Sequence, residues 1–243
     1  MISCENIVKK FDDLLVIDNV NLNINDGEFV VILGPSGCGK STFLSMLAGF
    51  EEPSSGKMSI DGKQITRPGK DRGFVFQDYA LFPWLTVLGN VMSGLNGEAD
   101  KREIAMQYIR RVGLEDFANE YPHKLSGGMK QRVAIARVLA YDPEILLMDE
   151  PFGALDAQTR KLMQQELKKI LKDIRKTIVF VTHSVIEAVF LADRVVVFSK
   201  RPSKIVYEEE IHIDGQRNYF NEQFMKYRER ILHHLDVETG IVE

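Results

Sequence analysis

Apolar positions along this chain alternate between two spacings. Near the N-terminus they form short strings, Ile7-Val8, Leu14-Leu15-Val16-Ile17, Leu22 and Ile24, separated by Asp, Asn and Gly and closing on Asn25-Asp26-Gly27. That layout predicts hairpin-rich β structure. Residues 28–33 then run almost continuously apolar, as a strand covered on both faces does. Phe43, Leu44, Met46 and Leu47 recur at helical spacing and stop at Gly49, a C-terminal cap. Residues 50–76 return to short strands around Pro53-Ser54-Ser55-Gly56 and Asp61-Gly62, and are expected to extend the antiparallel layer as far as Gly73-Phe74-Val75-Phe76.

Residues 88–140 read as mostly helical, with Ile104, Ile109 and Val112 in a charged background and Val133, Ile135, Ala136, Leu139 and Ala140 marking a buried helix. Ile145-Leu146-Leu147-Met148 is a short apolar strand. A strongly periodic helix follows Asp156 and runs to about Ile174, with Met163, Leu167, Ile170, Leu171 and Ile174 on one face. Residues 177–182 and 194–198 are two more strands, with a helix over 186–192 between them. From about Lys200 the character changes to an alternating strand over 205–213, then Gly215, then a helix over 220–235, an extension to the main body. Strands alternating with helices predict an α/β protein with a mainly parallel sheet, an antiparallel β layer and a helical subdomain.

Between the strand 28–33 and the helix that follows stands Gly34-Pro35-Ser36-Gly37-Cys38-Gly39-Lys40-Ser41-Thr42. This is the pattern G-x-x-x-x-G-K-[ST] in the strand-to-helix context that gives it meaning. Its glycines let backbone N–H groups turn inward on a polyphosphate, and the helix N-terminus adds partial positive charge. Lys40 is placed to reach the β- and γ-phosphates, Ser41 to offer its hydroxyl to Mg²⁺, and Thr42 to stand near the α-phosphate. Cys38 occupies a place that needs a small side chain more than a thiol, and is expected to react with a thiol reagent until nucleotide shields it.

Five other places carry chemistry. Ser126-Gly127-Gly128 opens a helix with a capping hydroxyl and two bare peptide units, a second N-terminus fit for an anion. Asp149 and Glu150 end an apolar strand, on opposite sides by its period of two; Asp149 suits Mg²⁺ and Glu150 suits activation of a water. His183 ends a buried strand, where α/β sheets bind ligands. Gln77 ends another, and leads into Asp78-Tyr79-Ala80-Leu81-Phe82-Pro83-Trp84-Leu85, whose large side chains are costly to leave in water. Phe11, followed by Asp12-Asp13 in a turn, is an aromatic able to stack on a base. His233 and His234 are adjacent, face different ways on a helix, and do not make a metal site.

Composition narrows the class. With 44% apolar and 27% charged residues the chain reads as globular, and a net charge of −4 argues against a dedicated nucleic-acid binder. No run approaches the ~20 apolar residues of a membrane span, and residues 1–5 lack a signal layout, so a cytoplasmic location is expected. The two cysteines have no paired spacing, which fits a reducing compartment.

In this order the pieces resemble the nucleotide-binding subunit of an ATP-binding cassette (ABC) transporter over roughly residues 1–205, with 206–243 a short extension and the helical subdomain at about 78–140. The resemblance matches residues 34–42 to Walker A, Gln77 to the Q-loop glutamine, 125–131 to the signature, 145–149 to Walker B and Glu150 to the catalytic glutamate. It matches Ala154-Leu155-Asp156 to the D-loop, His183 to the switch histidine and Phe11 to the adenine-stacking aromatic. It implies an ATPase in which Lys40, Gln77, Glu150 and His183 act in hydrolysis and Ser41, Gln77 and Asp149 hold Mg²⁺. Phe11, residues 34–42, Ser126, Gly127, Gly128 and Asp156 would contact ATP. The signature departs from the usual pattern in one residue, Met129 in place of Gln.

The same resemblance implies a homodimer closed by ATP, each phosphate loop facing the partner's signature. It further implies a separate permease and solute-binding protein, at the cytoplasmic face of a membrane. Met129 and the 81–87, 121–123 and 154–160 stretches are similar to the nitrate, sulfonate and taurine importer branch; the alternatives are another importer class or a non-transport P-loop ATPase. A small-molecule kinase would lack the signature, a chromosome or repair ATPase would need a coiled-coil insertion between 77 and 125, and an ABC translation factor would need two cassettes.

Overall fold

The computed structural model describes residues 1–95, 100–172, 175–213 and 217–239. The chain divides into two compact units, one of residues 1–69 with 177–243 and one of residues 70–176. In chain order the first unit opens with β1 (Ile2–Phe11), β2 (Leu14–Ile24), β3 (Phe29–Leu33), α1 (Lys40–Ala48), β4 (Ser55–Ile60) and β5 (Lys63–Gln64). The second holds β6 (Arg72–Val75), α2 (Val87–Met92), α3 (Lys101–Arg111), α4 (Gly127–Ala140), β7 (Ile145–Asp149) and α5 (Ala157–Lys172). The first then resumes with β8 (Thr177–Thr182), α6 (Val185–Leu191), β9 (Arg194–Phe198), β10 (Ile205–Glu210) and α7 (Glu222–Thr239).

The first unit contains two sheets. In one, β1 pairs antiparallel with both β2 and β4, and β5 pairs with β4. Its tight turns use residues that tolerate the left-handed region, Asp12 at φ 50 and Asp61 at φ 49, and Gly27 at φ 74 does the same in the link from β2 to β3. In the other, β3 lies between β8 and β9, parallel to both, and β10 runs antiparallel beside β9. Val30, Val31, Ile32 and Leu33 are completely buried, at roughly 1.5–3 kcal/mol of burial each. The segment after Lys200 therefore adds an edge strand to this sheet.

In the second unit β6 pairs parallel with β7, Arg72 to Val75 against Ile145 to Met148. This corrects the expectation that Gly73-Phe74-Val75-Phe76 extends the antiparallel layer. Side-chain alternation reports which faces are covered and carries no information about the direction of the neighbouring strand, and Phe76 lies beyond the strand's end. The face of α5 predicted from periodicity is buried at Met163, Leu167, Ile170 and Leu171, whereas Ile174 and Gly215 fall outside the described residues. Among the described residues no helix is long and apolar enough to cross a membrane.

Candidate functional site

β3 delivers the chain into the loop 34–39, and α1 begins at Lys40. Two glycines shape this loop. Gly39 has φ 117, and a Cβ there would come within 2.8 Å of Val16 Cγ1, so the position excludes every other residue. Gly37, at φ 73, has nothing within 4 Å of where its Cβ would be, which leaves the loop's outer side open. The N-cap residue of α1 is Gly39, which has no side chain to cap with, and the first turn holds no acidic residue, an arrangement that suits an anion. Lys40 is buried, and its ammonium donates to the carbonyls of Gly34 and Pro35 at 2.8 and 2.9 Å. Among the described residues it forms no ion pair. A buried cation held only by neutral carbonyls at an uncapped helix N-terminus fits a polyphosphate. The Cys38 side chain turns inward and is 1% exposed, which overturns the expectation that its thiol is accessible in the empty loop.

Register brings one more predicted residue to the same end of the first unit. Leu33 pairs with Thr182, so Gly34 and His183 leave neighbouring parallel strands side by side. His183 is exposed, and the residues on either side of it are hydrogen-bonded. The hydroxyl of Thr182 donates to the buried carboxylate of Glu187 at 2.5 Å and accepts the N–H of Ser184 at 3.1 Å, and Ser184 caps α6. Phe11 ends β1 at the hairpin into β2, half open to solvent, with the Lys9 ammonium 4.7 Å from its ring centre. Val16 and Ile17 of that hairpin are the residues packed on Gly39.

The second unit carries the remaining predicted residues. β7 ends at Asp149, and Glu150 turns out of the strand at φ 40. The period of two therefore does not set its direction, contrary to the expectation from alternation. This is a left-handed conformation at a residue with a side chain, at a cost of roughly 1–2 kcal/mol. Gly153 follows, its N–H donating to the Glu150 carbonyl at 2.9 Å. A Cβ on Gly153 would lie 3.6 Å from Gln77 Nε2 and 3.7 Å from Glu150 Oε2, so these two side chains converge on one point. Asp156 caps α5, accepting the N–H groups of Thr159 and Gln158 at 3.0 and 3.1 Å; the Thr159 N–H foremost holds its carboxyl below the usual range. At α4 the Ser126 hydroxyl accepts the N–H of Met129 at 3.3 Å, and Gly128 is buried against Thr159 and Met163.

The loop after Gln77 is more ordered than its composition predicts. Phe82 and Trp84 are exposed, at 39% and 70%, with ring centres 5.6 Å apart. Tyr79 and Leu81 are half-buried, so of these four large side chains Phe82 and Trp84 are the ones presented to solvent. Two residues that the sequence reading passed over organise this loop. Asn90 is completely buried and bonds to Phe82, Leu85 and Thr86, and Arg137 reaches the carbonyls of Tyr79 and Ala80. Neither stood out because each acts on residues distant in sequence or through loop carbonyls.

A glycine-shaped loop between a central parallel strand and a helix, with a second glycine-opened helix N-terminus elsewhere in the chain, defines a P-loop nucleotide-binding cassette. Comparison with known proteins agrees. The ABC transporter family profile matches residues 17–153. An ABC transporter ATP-binding protein of Methanocaldococcus jannaschii is 50% identical over 97% of this chain and 91% of its own. A nitrate import ATP-binding protein of Synechocystis is 49% identical over 86% and 80%. An aliphatic sulfonates import ATP-binding protein of Bacillus cereus is 42% identical over 94% and 91%. A bacterial ABC transporter cassette solved as a dimer is 38% identical, with a TM-score of 0.76 over 88% of this chain and 100% of that one. A dimeric post-hydrolysis cassette bound to ADP and Pi is 37% identical, with a TM-score of 0.75 over the same shares. The chain belongs to the ABC transporter family.

Proposed function

We propose that this chain is the ATP-hydrolysing subunit of an ABC importer that takes up a small anion such as nitrate, a sulfonate or taurine through a separate permease. The observation that carries the ATPase reading is the buried Lys40 ammonium, held by the carbonyls of Gly34 and Pro35 at the N-terminus of α1. The substrate class rests on the nitrate and sulfonate importer relatives, whose names refer to those proteins.

In this reading Phe11 stacks on the adenine and the N–H groups of residues 34–42 cradle the phosphates, with Lys40 neutralising charge at the β- and γ-phosphates. Mg²⁺, when bound with ATP, supplies further positive charge against the phosphate oxygens. Ser41, Gln77 and Asp149 offer the hard oxygen ligands that ion takes. Glu150 accepts a proton from water, and His183 holds the γ-phosphate geometry. Ser126, Gly127 and Gly128 present a second set of N–H groups, with Asp156 beside them, to nucleotide held by a second copy of the chain. Two phosphate-grade helix N-termini per chain then serve two equivalent composite sites in a C₂ dimer. Met129 contributes its backbone N–H to the cap and leaves the signature hydroxyl and glycines in place.

Phe82 and Trp84 are the docking patch for the permease, which works with a solute-binding protein, and the subunit sits at the cytoplasmic face of the membrane. Reconstitution with a candidate permease and solute-binding protein tests this reading. ATP-dependent uptake of labelled nitrate, sulfonate or taurine is expected, abolished by Phe82→Ser with Trp84→Ser. Hydrolysis by the purified chain no faster than by Lys40→Ala would overturn the ATPase assignment.

A further inference from the structure

Tyr79 and Ala80 lie in succession in the left-handed region, at φ 59 and 46. Residues with a Cβ avoid that region, so the pair has to be held from outside. Arg137, in the last turn of α4, holds it: one guanidinium N–H donates to the Ala80 carbonyl at 2.6 Å and another to the Tyr79 carbonyl at 3.1 Å. The guanidinium carbon lies 5.9 Å from the centre of the Phe82 ring, which in turn sits beside Trp84.

Arg137 forms no ion pair among the described residues, and burial pushes its pKa down. An aliphatic side chain would fill the same space without the cost of desolvating a charge. What the guanidinium adds is a rigid planar fork that takes two neighbouring carbonyls at once. The loop meets the same helix a second time at its other end, since a Cβ on Gly127 would lie 3.2 Å from the Tyr79 hydroxyl. The first turn of α4 and its last turn therefore both touch the segment that carries the aromatic patch.

We propose that Arg137 is a positioning residue that fastens loop 79–84 to α4, so that the Phe82–Trp84 patch moves with that helix as one body when nucleotide engages the helix N-terminus. The claim that the motion is transmitted onward rests on the reading of the patch as the permease-docking surface; the fastening itself does not.

Trp84 is the chain's one tryptophan, so its fluorescence reports this loop directly in the full chain. In Arg137→Met, the anisotropy of Trp84 should fall and its acrylamide quenching should rise by up to about 1.4-fold, since the residue is already 70% exposed, with an unchanged melting temperature, because the loop opens locally. Arg137→Lys, which keeps the charge without the fork, should recover less than about half of that difference. Wild-type quenching and anisotropy in a folded Arg137→Met protein overturn the proposal. If that variant does not fold, Arg137→Lys decides in the same way. The coupling is tested in a Glu150→Gln background, where Mg-ATP should shift Trp84 emission. Arg137→Met should abolish that shift while binding of a fluorescent ATP analogue persists, and a shift that survives overturns the coupling. Failure of the docking reading is seen elsewhere, as uptake that survives Phe82→Ser with Trp84→Ser, and leaves the Trp84 measurements to decide the fastening.

Discussion

Replacing Asn90 tests the order of the aromatic loop through stability. The side-chain oxygen of this buried residue accepts the Phe82 N–H at 2.8 Å, and its amide donates to the carbonyls of Phe82, Leu85 and Thr86 at 3.1, 3.0 and 3.0 Å. Two of those carbonyls have a second donor: Phe82 from the Leu85 N–H at 3.1 Å and Thr86 from the backbone N–H of residue 90 itself at 2.8 Å. Asn90→Ala therefore deprives the Phe82 N–H and the Leu85 carbonyl of the partners seen here. A buried group left unpaired costs about 1–3 kcal/mol, and because Phe82 is partly solvated the pair should cost about 2–4 kcal/mol.

Asn90→Asp keeps the shape but turns an oxygen, in place of two N–H donors, toward carbonyl oxygens. The new carboxyl is driven toward its neutral form, so its folded pKa is raised above the unfolded value of roughly 3.9. The folded state then binds more protons than the unfolded one. The penalty relative to wild type should be smallest below about pH 4 and grow with pH by up to ~1.4 kcal/mol per unit, until the folded pKa is passed. Urea unfolding of the three proteins across pH 4–8 measures both effects. A loss below about 0.5 kcal/mol in Asn90→Ala, or an Asn90→Asp penalty that shrinks as pH rises, refutes the reasoning.

Other outcomes follow from the site. Glu150→Gln should bind ATP, form a dimer by gel filtration and lose turnover, since an amide keeps the shape but takes no proton from water; a monomer with Mg-ATP, or near-normal hydrolysis, speaks against Glu150 as the base. Lys40→Ala should weaken nucleotide binding itself, while Ser126→Arg should leave binding to the monomer nearly intact, block dimer-dependent hydrolysis and cost about 1 kcal/mol for the lost cap; equal losses of ATP affinity in both would contradict two composite sites. Thiol titration of the native protein at pH 8 should find neither cysteine, because Cys38 and Cys4 are 1% and 2% exposed and burial pushes the Cys4 thiol up to about 12, with both appearing in denaturant; ready labelling of either would mean that its element opens in the native state.

Much of this protein is decided by local pattern. The strand–loop–helix around Lys40, the caps at Gly49 and Ser126, the buried faces of α4 and α5 and the strand ending at Asp149 depend on side-chain spacing and backbone freedom within a dozen residues, and those are written in the chain itself. The types of residue at the phosphate loop, the signature and the carboxylate pair were equally legible, because phosphate, metal and water each demand particular groups. Only tertiary structure decided the rest. The direction in which Arg72–Val75 pairs comes from β7, some seventy residues away. The turn of Glu150 out of its strand comes from a backbone conformation that alternation does not encode. The burial of the Cys38 thiol comes from how the phosphate loop folds, and the order of an apolar loop comes from Asn90 and from Arg137, fifty-seven residues beyond Ala80. A contact between residues so far apart costs the chain entropy that no local signal repays, so it exists only once the packed units hold both ends in place.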